Sequence, residues 1–183
     1  MSAVRIKRPL WRQLAKFAVV VALLGATAAY ASERYVIGYD DQTQRCLDER
    51  FFLIDRWRKP QTGDMARGDL VAVAMRAEQR PGGALWPVGQ VMIKRVQAHR
   101  PGDVMHVTEE GISFEAADGE TWSWGTALEA AEALGYQPAQ FVRDVALGED
   151  EFFLMGDLPL SYDSRYYGPL DETQIAGTVL WGF

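Results

Sequence analysis

The sequence predicts a mainly β domain with a small helical insertion, preceded by one N-terminal transmembrane helix. Three observations predict it. Short aromatic and β-branched runs alternate with Gly and Pro, one stretch carries helix-capping signals, and an uncharged apolar run follows a basic N-terminus. With 183 residues, 48% of them hydrophobic, the chain is long enough for one well-cored domain and short for two.

The first sixteen residues carry Arg5, Lys7, Arg8, Arg12 and Lys16 without an acid, and Phe17 to Ala31, FAVVVALLGATAAYA, carry no charge. The apolar run is shorter than the roughly 20 residues that span a bilayer, and Leu14, Ala15 and a snorkelling Lys16 extend it. Ala-Tyr-Ala before Ser32 also resembles a cleavage site, so residues 1–32 read as a membrane anchor or a cleaved signal peptide. Either way the positive flank stays inside and residues 33–183 lie outside the cytoplasm. Taking the five basic charges from a net of −6 leaves −11 on the remainder, which argues against nucleic-acid partners.

Along the exported part, RYVIGYD (34–40), RFFLIDRW (50–57) and GDLVAVAM (68–75) read as strands. A turn-like RPGGALWP (80–87) precedes GQVMIKRVQAH (89–99), and RPGD turns that strand into PGDVMHV (101–107). GISFEAADGETWSW is a hairpin turning at Asp118-Gly119. TALEAAEALGY (126–136) is the one clear helix, with Thr126 as cap, Glu129 three residues on and Gly135 as terminator. DEFFLMGD (150–157) and GTVLWGF (177–183) complete the strands.

The single cysteine, Cys46, lies in QTQRCLDERFF (42–52). In an oxidising compartment it is an intermolecular linker, a buried inert thiol or a reactive one. Cys46, His99 and His106 are too few ligands for zinc, and no cofactor motif is visible. The polar residues before Cys46 exclude a lipoprotein anchor, and its charged neighbours Arg45, Asp48, Glu49 and Arg50 argue against a core strand. The exported part has two lysines. Lys59 sits in a polar stretch, whereas strand alternation puts Lys94 on one face with Met92 and Val96. There it is either a partly desolvated amine able to accept a proton or a strand-edge lysine reaching water. Ser161, Asp163, Ser164 and Arg165 form a cluster suited to a hydrogen-bonded loop with an internal ion pair, structural or functional.

Three stretches together resemble the type I signal peptidase family, membrane-bound serine proteases with a Ser-Lys dyad: RGDLVAV (67–73), IKRVQAHRPGD (93–103) and MGDLPLSYDSRYYG (155–168). The Gly-Pro-Leu that ends the last box is more similar to the conjugative-transfer, TraF-like branch that matures pilins. In that branch the nucleophile lies in a Ser-x-Pro-x-Gly-x-Tyr-type stretch. Setting Phe52 on the aromatic puts Cys46 on the serine, Asp48 on the proline and Arg50 on the glycine. Leu158-Pro159 replaces a usual Asn-Arg, and one extra residue separates Lys94 from Pro101.

The resemblance implies a signal-peptidase-like twisted β-sheet or barrel, catalytic over residues 33–183. It implies a Cys46 nucleophile, Lys94 as general base, Ser161 orienting Lys94, Asp163 and Arg165 buttressing the loop, and Gln44 assisting an oxyanion hole. It needs no cofactor. The implied partners are an exported, pilin-like precursor, the membrane and components of a type IV secretion apparatus, with hydrolysis or cyclisation as outcome. Two rivals stand beside this: a Cys-His pair using His99 or His106, which lack a recognisable orienting partner, and a non-catalytic secretion component that binds pilin.

Overall fold

The computed structural model describes residues 9–40, 42–43, 45–79, 89–124 and 128–183. The chain forms two units, Met1–Val36 and Ile37–Phe183. In the first, helix α1 (Leu10–Arg34) has 25 residues, none of them buried. At about 1.5 Å per residue it is long enough to cross a bilayer, and its composition is apolar enough to do so. The basic side chain in its last turn, Arg34, complements the helix dipole and lies over the Tyr35 ring at 5.1 Å.

The second unit is built from two antiparallel sheets. The strands are β1 (Tyr35–Tyr39), β2 (Phe51–Asp55), β3 (Leu70–Ala74), β4 (Val91–Ala98), β5 (Val104–Val107), β6 (Ile112–Glu115), β7 (Thr121–Trp124), β8 (Arg143–Ala146), β9 (Glu151–Met155), β10 (Leu170–Asp171) and β11 (Ile175–Gly182). One sheet runs β1-β2-β11-β3-β4-β9-β10 and the other β7-β6-β5-β8. The second is one continuous insertion between β4 and β9 of the first, together with the short helix α2 (Ala130–Ala133). Phe153, Met155 and Ala98 from the first sheet pack with Met105, Val107, Ile112 and Phe114 from the second, so burial of these faces holds the sheets together.

The expected strands are present, and the hairpin turns where Gly119 adopts φ 87°. The helix expected over 126–136 is shorter. Thr126 lies outside the described residues, as does the turn-like 80–87 stretch, and α-helix is confined to Ala130–Ala133. Glu129 makes no side-chain cap, and the Ala130 N–H instead donates to the Tyr166 hydroxyl at 3.0 Å. A tertiary bond thus replaces the local capping box, and Gly135 at φ 81° ends the turn. Strands β8 and β10 and the helical turn α3 (Ser164–Tyr167) lack a period long enough to be read from sequence.

β11 is central because it pairs with both β2 and β3. A Cβ at Gly177 would lie 2.7 Å from the Asp55 carbonyl oxygen and 2.9 Å from Ile54 Cγ2. Backbone cannot yield as a side-chain tip can. Gly177→Ala is therefore expected to destabilise the domain by about 1–3 kcal/mol. Urea unfolding would show this as a lower midpoint at unchanged slope; an unshifted midpoint would contradict this packing.

Candidate active site

Lys94 occupies β4, which is flanked by β3 and β9, so it is not on an edge strand. It is 1% exposed, and its Nζ donates to Ser161 Oγ at 2.8 Å. The alternative of a lysine reaching water from a strand edge is thereby excluded. Lys59, in contrast, is exposed.

Ser161 belongs to the loop that follows β9. Asp163 caps α3 by accepting from Arg165 N at 3.2 Å, and it pairs with the Arg165 guanidinium through two bonds of 2.8 and 2.7 Å. It also accepts from Gly156 N at 3.0 Å. Arg165 continues to the Ser161 carbonyl at 3.1 Å, so the ion pair fixes the backbone that presents the serine. Ser164 Oγ accepts from Leu154 N at 2.9 Å and fastens the same loop to β9. Burial alone would push the Asp163 carboxyl up. The adjacent Arg165 and the Gly156 N–H outweigh that and hold it below the usual carboxylate range.

Cys46 is half-buried in the irregular segment between β1 and β2. Its carbonyl accepts from Leu158 N at 3.2 Å, and the next residue, Leu47, is 2% exposed in a small core with Phe52, Ile54 and Ala72. The approach to the serine loop is measured at Gly156. A Cβ there would lie 2.5 Å from the Cys46 carbonyl oxygen and closer still to Ser161 Oγ, so these two oxygens are within about 5 Å of each other. The fold thus brings together the Cys46 peptide, Lys94, Ser161, Asp163 and Arg165. Gln44 lies outside the described residues.

The histidines are elsewhere in use. His99 Nδ1 bonds the Thr62 carbonyl at 2.9 Å. His106 does have an orienting carboxylate, Asp144 at 2.8 Å, contrary to the sequence expectation; cross-strand pairing of β5 with β8 supplies it, and nothing local signals it. Among the described residues no cluster of His, Cys, Asp and Glu is arranged to hold a metal.

Several further residues shape the site. Trp124 Nε1 donates to the Gly156 carbonyl at 3.2 Å. Arg95 binds both oxygens of Asp157, at 2.8 and 2.7 Å, and the Gly68 carbonyl at 3.0 Å. Gly156-Asp157 stands inside the MGD stretch, so its presence was visible but its contacts were not. Tyr167 is raised well above the usual tyrosine range, first by burial and then by the charge of Asp163, so it stays protonated.

Removing the Asp163 charge takes away the carboxylate that binds the buried Arg165 guanidinium through two bonds, and Asp163→Asn is expected to cost about 3–5 kcal/mol of stability. Because the folded carboxyl sits below its unfolded value of about 3.9, this stabilisation is complete above that pH. It disappears as pH falls through the folded value. Chemical denaturation at several pH values would show the wild-type advantage over Asp163→Asn shrinking only under acid; an advantage constant with pH would refute it.

A family model described as "Signal peptidase, peptidase S26" matches residues 10–183. No curated protein matches the chain. Among solved structures, a signal peptidase I from Enterococcus faecalis V583 is similar at 21% identity, over 66% of this chain and 97% of that one, with a TM-score of 0.36.

Proposed function

The chain belongs to the signal peptidase family, peptidase S26, whose members process exported precursors, and from that premise we propose that it cleaves its precursor with a Cys46–Lys94 dyad. The single observation that supports the dyad most is the meeting at Gly156. The Cys46 peptide and Ser161 Oγ approach it from two sides, and Lys94 Nζ reaches Ser161 at 2.8 Å. Ser161 orients the amine, and Asp163 with Arg165 fixes Ser161.

In the proposed reaction Lys94 takes the thiol proton, and Cys46 Sγ attacks the scissile carbonyl carbon. The C–N bond breaks, Lys94 returns the proton to the departing amine, and a thioester remains on Cys46. Water then attacks the thioester and frees the thiol, giving hydrolysis. An amine of the same polypeptide gives a cyclised product instead. A thiol suits this scheme because it ionises more readily than a hydroxyl and demands less of the base.

Helix α1 serves as an uncleaved anchor, with the domain on the outer face of the bacterial inner membrane. The substrate is a conjugative pilin precursor, and the enzyme works beside type IV secretion components. The resemblance of the Cys46 stretch and of Gly168-Pro169-Leu170 to the TraF-like branch supports this part.

Precursor size in cells carrying each variant tests the reading. Cys46→Ala is expected to abolish processing and Lys94→Met to slow it by about 100-fold or more, with both proteins folded. Cys46→Ser should retain part of the activity. Unchanged maturation in Cys46→Ala would remove the dyad and leave a pilin-binding role.

A further inference from the structure

Between β1 and β2 the described residues around Cys46 form no strand, so other contacts must fix the segment that carries the thiol. Arg45 Nη1 bonds the Asp48 carbonyl at 2.9 Å, which tightens the segment internally without tying it to the domain. Contacts that do tie it include the Cys46 carbonyl on Leu158 N, Leu47 in the core, the Arg50 N–H on the Phe183 carbonyl, and Glu49. Glu49 Oε1 meets Arg95 Nη2 at 3.4 Å. Arg95 follows Lys94 on β4 and also grips Asp157, the residue between Gly156 and Leu158. One guanidinium therefore joins the Cys46 segment, the Lys94 strand and the start of the Ser161 loop.

The placement of Glu49 is imposed by its surroundings. Its second oxygen, Oε2, is shut off from water and has no hydrogen-bond partner among the described residues. A carboxylate free to turn would present that oxygen to solvent. Its stem is held at the other end, because Gly182 of β11 leaves the space it occupies: a Cβ on Gly182 would come 3.2 Å from Glu49 Cγ. The side chain is thus gripped by packing at the stem and by charge at the head, three residues from the proposed nucleophile.

Resting on the dyad reading, we propose that Glu49 is a positioning residue, which through Arg95 sets the separation of Cys46 from Lys94. It touches neither substrate nor the reacting atoms. Its effect falls on kcat, because a displaced nucleophile spoils the attack geometry without altering precursor binding.

The test uses the full-length protein in detergent and a precursor peptide, with Glu49→Ala, Glu49→Gln, Arg95→Lys and the Glu49→Ala/Arg95→Lys double variant. Glu49→Ala is expected to lower kcat about tenfold at unchanged KM. It should also slow alkylation of Cys46 by iodoacetamide, with little change in melting temperature, since a part-exposed ion pair contributes little to stability. Glu49→Gln, whose amide oxygen still accepts from Arg95, should recover much of kcat. The double variant should fall no further than Arg95→Lys alone, because both act through one contact. Wild-type kcat in Glu49→Ala, a change confined to KM, or additive losses would each overturn the inference. If that happens while Cys46→Ala is inactive, the dyad stands and only the role of Glu49 falls. Activity in Cys46→Ala would remove both.

Discussion

The close approach of three chain segments at Gly156 is the contact on which the rest of the site depends. Its N–H is taken by Asp163, its carbonyl by Trp124, and the space where a side chain would stand by the Cys46 carbonyl and Ser161 Oγ. Any side chain there would drive the Cys46 segment away from the serine loop. The meeting also links both sheets, because Trp124 ends β7 while Gly156 directly follows β9. The insertion between β4 and β9 therefore helps to hold the backbone on which the site is assembled.

Burying charge at this place is costly, and the arrangement of partners shows how the cost is contained. Lys94, Asp163 and Arg165 are each at most 1% exposed. Asp163 spends both oxygens on Arg165 and adds the Gly156 N–H and the Arg165 N–H, close to the full acceptor capacity of a carboxylate. Lys94 receives a hydroxyl instead of a carboxylate. A carboxylate in direct contact would hold the nitrogen in a salt bridge; a serine oxygen orients it without an opposite charge. That difference suits the proton transfer proposed for Lys94.

Most of the strand pattern was legible because each strand is a short β-branched or aromatic run bounded by turn residues. The order of those strands was not legible, since β11 lies between β2 and β3 and its neighbours are far away in sequence. Lys94 shows the same limit at residue scale. Alternation put it on an apolar face, yet the choice between buried amine and solvated edge depended on β9 covering β4. The Asp163–Arg165 pair was readable because its members are two residues apart. The Arg95–Asp157–Glu49 cluster and the His106–Asp144 contact were not, because pairing across strands and loops creates them.

The departures of the Cys46 stretch from the branch it resembles bear on whether the motif has decayed. Glycine is needed where φ is positive, and among the described non-glycine residues only Asp150 has positive φ. Arg50, at the glycine position, therefore occupies backbone that any residue adopts, and its N–H pairs with the Phe183 carbonyl at 2.9 Å. Asp48, at the proline position, is steadied by the bond from Arg45 to its carbonyl. The extra residue after Lys94 falls in a stretch where β4 shifts register between Val96 and Ala98, a bulge that places buried Gln97 without disturbing the pairing of Lys94 with Val71. Each change is taken up locally by the backbone and leaves the meeting at Gly156 intact. What remains different at the stretch is the sulfur of Cys46, the atom to which the proposed reaction assigns the attack.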